Sequence, residues 1–332
     1  MVTIKDVAKR AGVSPATVSR VLNGKGWVSE EKRRLVNEWI VKLGYQPNQV
    51  AQSLISKRSY MIGVIITDVS NPFFGEIVRS VQMEAFKIGL SIVLYNTDTD
   101  AELERRQVDS VLRRQIDGIM IVPCKKESVT MRIISRAKIP TVVITQEHDK
   151  FDSISIDHLK AGADVAAHLI SNGYSKIVYI GAKTDKKYIG FYNQAIQMGL
   201  ANEDIDVIEV CYSSQDLSSI YDQVKKQFLD YAKKQVGVFA LNDIVALTVI
   251  DVITDIGYHI PEEYCVVGFD NTYLSRVHRP SLSSVAQPIS ELGHRAVDIL
   301  SQRIENPTKK IEHITLHSRL VLRQSSSLEV KA

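Results

Sequence analysis

The chain has 332 residues, 45% of them hydrophobic, with 41 Lys and Arg against 38 Asp and Glu, enough for a large buried core and more than one domain. Cys124, Cys211 and Cys265 stand far apart with no paired spacing, which argues against a disulfide framework, a zinc site or a redox pair and for buried reduced thiols. Lys5, Asp6, Lys9 and Arg10 interrupt the opening segment and no run approaches the ~20 apolar residues of a membrane span, so the expected location is cytoplasmic, with no membrane partner and no cofactor.

Thr3 can cap a first helix with Asp6 three positions on, and Ile4, Val7, Ala8 and Ala11 fall on one stripe at helical spacing. Gly12 ends it. Ser14 as N-cap and Pro15 at the first helical position start a second helix with inner face Val18, Val21 and Leu22. Outside remain Ala16, Thr17, Ser19, Arg20 and Asn23, small or hydrogen-bonding side chains with one guanidinium, which suit base edges and phosphates in a major groove. The pattern reads as a helix-turn-helix. Residues 1–58 hold 11 Lys and Arg against 4 Asp and Glu, a net charge of +7, and the remaining 274 residues carry −4. A basic head on a mildly acidic body points to a polyanion at the head.

Ser29 is placed to cap a third helix carrying Leu35, Val36, Trp39, Ile40 and Leu43, closed by Gly44. Residues 45–58 are polar and too short to be stable alone as a helix, so they read as a hinge that orders when held. From Tyr60 apolar strands alternate with amphipathic helices, the signature of parallel sheets with crossover helices. Strands are expected at 61–67, 91–95, 118–122, 141–145, 153–156, 176–180, 206–210, 236–241 and 265–269. Helices are expected at 74–89, 102–115, 158–172, 187–201, 216–233, 243–257 and 289–305. Nine strands in two runs give two doubly wound lobes, whose ligands sit beyond the carboxyl ends of strands, here at 68–74, 145–147, 242–243 and 270–272.

The headpiece string from Val7 to Gly24, the hinge string from Tyr45 to Leu54, and the body strings at 62–66, 70–74, 117–122, 241–243, 266–272 and 280–288 occur in the order of, and strongly resemble, the lac repressor family. The resemblance spans about residues 2–326. It implies a dimeric transcription regulator, most often a repressor of carbohydrate-metabolism genes, with an all-α headpiece at 1–46 and a hinge helix at 47–59. The implied body, 60–326, has two parallel-sheet lobes like a periplasmic binding protein, the first about 60–157 and 288–316, the second about 158–287 and 317–326, followed by a tail at 327–332. Partners implied are double-stranded palindromic operator DNA, a second copy of the chain, and a small effector between the lobes.

Carried over by position, Ser14, Thr17, Ser19, Arg20 and Asn23 face the major groove, with Pro15 and Ala16 at the places that set operator choice. Since neither offers a side-chain hydrogen bond, Arg20 is left to read guanine. Trp27, Ser29, Lys32, Tyr45 and Asn48 match backbone-contacting positions, Trp27 being equally readable as a headpiece core residue. Ala51 and Leu54 belong to the hinge, Leu54 matching a leucine that wedges into the minor groove. For the effector the resemblance implies Asp68, Ser70, Phe73 and Phe74 on the first lobe and Tyr212, Asn242 and Asp270 on the second. Two positions depart from the sugar-binding pattern: Lys187 stands for an Arg and Thr145 for an Asp, replacing a bidentate fork and a hydroxyl-accepting carboxylate. A plain neutral pyranose is therefore not expected. Lys183, Lys186 and Lys187 in one segment suit a sugar acid or sugar phosphate, and the alternative is a body controlled by a phosphorylated carrier protein.

Enzyme readings find no support. Gly24-Lys25-Gly26 follows a helix rather than a strand, and neither a phosphate loop nor a Gly-x-Ser-x-Gly elbow occurs. Asp98, Asp100 and Glu102 mimic a calcium loop, but Leu103 holds the place of its glycine, so these acids are expected to start the next helix instead of holding a metal. A solute-binding protein of a transport system would fit the body alone; the basic headpiece argues against it. The tail has no heptads, which predicts a dimer without a coiled-coil tetramer.

Overall fold

Local signals fold the first helices as their sequence dictates. Thr3 Oγ1 accepts from the Asp6 N–H and Asp6 Oδ2 from the Thr3 N–H, closing a capping box on α1 (Ile4–Ala11), which Gly12 ends at φ +65°. Ser14 Oγ accepts from Thr17 N at 3.2 Å at the start of α2 (Pro15–Asn23), and Gly44 at φ +60° ends α3 (Glu30–Leu43). Ser29 occupies the N-cap position of α3 without a capping hydrogen bond, a departure from the sequence reading. Val7, Ala8, Ala11, Val18, Val21 and Val36 are buried together, with Trp39, Ile40 and Leu43 packed on them. The computed structural model describes residues 2–24, 26–46, 58–210, 212, 216–231 and 235–327, and the chain divides into two units, 1–59 and 60–332. Asn48, Ala51 and Leu54, Cys211 and the tail beyond 327 lie outside the described residues.

The second unit holds two six-stranded sheets. The first is ordered β11 (His313–Leu316), β5 (Asp152–Ile156), β4 (Thr141–Thr145), β3 (Gly118–Ile121), β1 (Met61–Ile66), β2 (Ser91–Asn96). The second is ordered β12 (Arg319–Val321), β10 (Ser283–Ala286), β9 (Tyr264–Asp270), β8 (Val236–Ala240), β6 (Lys176–Ile180), β7 (Ile205–Ile208). All neighbours pair in parallel except β10 with β12. Helices cover both faces of each sheet, which is why central strands such as Val236–Ala240 are buried on every residue and read as continuous apolar runs.

On the first sheet, Phe73, Ile77 and Val81 of α4 (Pro72–Lys87) and Leu292, Ala296 and Leu300 of α12 (Ile289–Glu305) fill one face. Val108 and Val111 of α5 (Ala101–Arg113) and Met131 and Ile134 of α6 (Val129–Ala137) fill the other. The second sheet is covered by α7 (His158–Ser171) and α8 (Lys186–Gln197) on one side and by α9 (Leu217–Leu229) and α10 (Asp243–Asp255) on the other. The short α11 (Leu274–Val277) precedes β10. Three strands, β10, β11 and β12, and the helices α6 and α11 were not expected from the sequence.

The chain passes between the sheets three times, after β5, after β10 and after β11. The carboxyl ends of the strands of both sheets therefore meet at one cleft, the place where doubly wound sheets take ligands.

Candidate functional site

Two separate sets of residues carry chemistry. On the headpiece, burial of Val18 and Val21 turns the opposite face of α2 outward: Ser14, Pro15, Ala16 and Arg20 are exposed, and Thr17 and Ser19 half-exposed. The hydroxyls of Ser14 and Thr17 lie 3.0 Å apart. The Arg20 stem lies against Gly26, where a Cβ would meet Cδ at 3.5 Å, so the guanidinium is carried along the loop after α2. Lys32 is exposed, Ser29 half-buried, and Tyr45 packs on the headpiece core. Trp27 is 88% exposed and no core residue; Trp39, with the Arg10 and Lys42 cations over its ring, takes that place. The side chain of Asn23 lies outside the description.

Between the lobes lies a cavity of about 560 Å³ lined by residues from all four expected loops. Asp68, Phe73, Phe74 and Thr145 come from the first lobe and Lys187, Tyr212, Asn242 and Asp270 from the second. Ser70 does not line it: its N–H and hydroxyl donate to Asp68 Oδ1 at 2.9 and 2.5 Å, locking that carboxylate from behind. Phe73 is buried in the first-lobe core and meets Phe74 edge to face. Asn71 and Asn242 each use Oδ1 to cap a helix, on Phe73 N and Val245 N.

The sequence reading missed Asn71, Asp98, Thr99, His158, Phe269 and Gln287, all of which face the cavity. Two of them ride on the crossings between lobes. His158 begins α7 directly after β5, and Gln287 follows β10. The available signal was position, since each stands at the carboxyl end of a strand; the crossing itself was invisible.

Lys187 is the half-buried cation of the cleft. Its Nζ donates to Leu241 O at 2.5 Å and lies 4.4 Å from the centre of the Phe269 ring. Burial pushes its pKa down against the opposing pull of Asp270 and Asp185. Burial likewise pushes Asp270 well above the usual carboxylate range, Asp243 adding to the rise and Lys187 and the Gln287 hydrogen bond opposing it. Lys183 and Lys186 are exposed and do not line the cavity, so the three lysines expected to gather on an acidic ligand contribute one.

His158 is held at about 4 by burial and then by the Lys187 charge, so its ring is neutral near pH 7. Its Nε2 lies 3.4 Å from Thr145 O. Burial, followed by Asp68 and Asp270, pushes the Tyr212 hydroxyl up. Behind the wall, Asp243 is pushed to about 6 by burial although it accepts from Ser284 Oγ, Thr272 N and Thr272 Oγ1.

The backbone of this wall is strained. Asp98, Thr99, Thr145 and Asp270 all line the cleft with φ of +47°, +60°, +71° and +106°. Such conformations in residues with a Cβ cost on the order of 1–3 kcal/mol each and gather at binding sites. At Asp270 the surroundings that hold it are visible: Gln287 Nε2 donates to its Oδ1 at 2.6 Å, and the next residue, Asn271, donates its N–H to Ser284 Oγ and accepts from Arg323 at Oδ1.

Buried polar atoms complete the site. Tyr212 OH, His158 Nδ1 and Gln287 Oε1 have no hydrogen-bond partner among the described residues, and each belongs to a residue lining the cavity. Leaving such groups unpaired is costly, and each is sealed from solvent.

Residues 3–48 match the family model described as bacterial regulatory proteins, lacI family, and residues 166–326 the model of a periplasmic binding protein-like domain. Over 98% of the chain and 99% of the relative, the sequence is 33% identical to catabolite control protein A of Priestia megaterium. It is 34% identical to the ribose operon repressor of Halalkalibacterium halodurans, over 98% and 97%. Among solved structures, the lac repressor dimer bound to operator and the anti-inducer ONPF superposes with a TM-score of 0.86 at 25% identity, covering 98% of this chain and 99% of that one.

Proposed function

The chain belongs to the lacI family of bacterial regulatory proteins, a transcription regulator and not an enzyme, and from that premise we propose that it is a cytoplasmic, dimeric repressor whose hold on a palindromic operator is set by a carbohydrate in the interlobe cleft. The observation that carries the effector class is the set of polar side chains Asp68, Tyr212, Asn242 and Asp270 lining one cavity together with the rings of Phe73 and Phe74. Hydroxyls satisfy the first set and the apolar face of a sugar ring packs on the second.

The sugar acid or phosphate suggested by the lysine run loses its ground here. Only Lys187 faces the cavity, and it is already engaged by Leu241 O and the Phe269 ring. Asp68 and Asp98 share the same walls. Like charges meeting in a closed site oppose binding strongly.

On the DNA side, Ser14, Thr17, Ser19, Arg20 and Asn23 are the proposed major-groove face, with Trp27, Ser29, Lys32, Tyr45 and Asn48 on the backbone and the hinge residues Ala51 and Leu54 in the minor groove. A headpiece of this size covers one half-site, so two related by a twofold axis are needed for useful affinity. Lobe closure on the sugar then couples to the spacing of the two headpieces.

Calorimetry of the full chain with sugars, sugar acids, sugar phosphates and a phosphorylated carrier protein tests the effector reading. Binding of a sugar-class ligand, weakened at least about tenfold by Asn242→Ala, supports it. Heat from the carrier protein alone would move control of the body away from the cleft.

A further inference from the structure

We infer that the sugar this cleft takes carries a protonated amine among its hydroxyls, an amino sugar in preference to its neutral parent. The inference rests on the carbohydrate reading above and narrows it.

Charge is the first support. The ionisable side chains lining the cavity, apart from Tyr212 and the neutral His158, are Asp68, Asp98, Asp270 and Lys187, and Glu76 adds to the negative field at Asp270. Lys187 and Asp270 balance one another whether they stand as ammonium with carboxylate or as amine with carboxylic acid. Asp68, 9% exposed, has no cation among the described lining residues to balance it, while Asp98 is exposed at the rim and accepts from Asn96 Nδ2. A closed site with surplus negative charge favours a cationic guest, and more strongly as water leaves. Lys187 does not meet that demand, because its ammonium is turned to Leu241 O and the face of Phe269.

Hydrogen-bond polarity is the second support. A carbonyl only accepts, so the contact with Thr145 O makes Nε2 of His158 the protonated nitrogen and leaves Nδ1 an acceptor. Gln287 spends its Nε2 on Asp270 Oδ1, and its Oε1 is the other unpartnered acceptor. Asp68 Oδ1 is filled by Ser70, leaving Oδ2. Of these, Asp68 Oδ2 remains open on the wall, while His158 Nδ1 and Gln287 Oε1 are sealed from solvent and become available only when their side chains shift. An ammonium, with three donors and no acceptor, answers such a wall, whereas a carboxylate or phosphate brings further acceptors to it.

The aromatic lining is the third. Phe73, Phe74 and Tyr212 line the same space, and a cation near an aromatic face is stabilised when desolvated.

Matched trios decide it. The full chain is titrated calorimetrically at about pH 6.5, where a sugar amine is charged, with D-glucosamine, D-glucose and D-glucuronate, and with the corresponding galactose and mannose trios. In at least one trio the amino sugar should bind at least about tenfold more tightly than its parent, or about 1.4 kcal/mol, with the uronate weakest. N-acetylation should remove the preference, and Asp68→Asn should cut the ratio of amine to parent at least about tenfold. Parents equal to amines in every trio overturn the inference and leave the carbohydrate reading intact. A panel in which neither these compounds nor any neutral sugar binds overturns both.

Discussion

A Cβ on Gly190 would lie 1.9 Å from the carbonyl oxygen of Leu159, and a Cβ on Gly162 would lie 1.9 Å from that of Lys187. Helices α7 and α8 therefore cross backbone against backbone, and their starts, His158 and Lys187, are carried to the cleft. Gly190→Ala forces the helices apart. It should lower the unfolding temperature of the body by an amount corresponding to about 1–3 kcal/mol or more. In the folded variant, mass spectrometry after acetylation should show Lys187 reacting like exposed Lys183 and Lys186, whereas in the parent it is protected. A folded variant with Lys187 still protected contradicts this role for the crossing.

Two groups, one half-buried and one buried, give opposing pH dependence. His158 titrates at about 4 in the folded chain and near about 6.5 unfolded, so between those values the unfolded chain binds the extra proton. Acidification through that window destabilises the body by at most about 1.4 kcal/mol per pH unit from this residue. Asp243, pushed up to about 6, does the reverse: its contribution is full below about 4 and is lost as pH rises through about 6. Thermal unfolding between about pH 6.5 and pH 4.5 should show His158→Gln losing less stability than the parent and Asp243→Asn losing more. Identical slopes in all three would rule out both assignments.

Exposed Arg20 and exposed Lys32 should fail differently. Arg20→Ala is expected to cost about 1–3 kcal/mol at one guanine position and to relax preference there. Lys32→Ala should weaken all sequences alike and reduce the salt slope of log K by about 1. Anisotropy titrations on selected operator and scrambled DNA distinguish the two; equal losses on both DNAs for Arg20→Ala would remove it from base reading.

At the hinge, Leu54→Ala should lower operator affinity at least about tenfold, the effect of losing a wedge between base steps, with thermal unfolding of the body unchanged. An unaltered gel shift would place the wedge elsewhere.

Light scattering should give twice the chain mass in solution, since a single headpiece reads only a half-site. A tetrameric mass would contradict the expected dimer.

The headpiece was legible because its signals are local. Thr3 with Asp6, Ser14 with Pro15, and glycines at 12 and 44 each act within four residues. The central strands were legible because two-sided burial writes an apolar run. Strand β10 was not: Ser283 and Ser284 are fully buried, yet satisfied by Arg323 and Asp243 some forty residues away, and such pairing leaves no local pattern. The cleft divides the same way. Asp68, Asn242 and Asp270 follow strands and were expected, while His158 and Gln287 depend on which sheet the chain enters next. Ser70 was misplaced for the opposite reason, a local turn with Asp68 that turns its hydroxyl away from the cavity.

Operator affinity measured by anisotropy while the tightest-binding sugar is titrated, in the parent and in Asp270→Ala, reads the coupling between cleft and headpiece. The sugar should change operator affinity by at least about tenfold in the parent, and Asp270→Ala should abolish the change while still binding the operator. An operator affinity that ignores every carbohydrate bound by the cleft would contradict it.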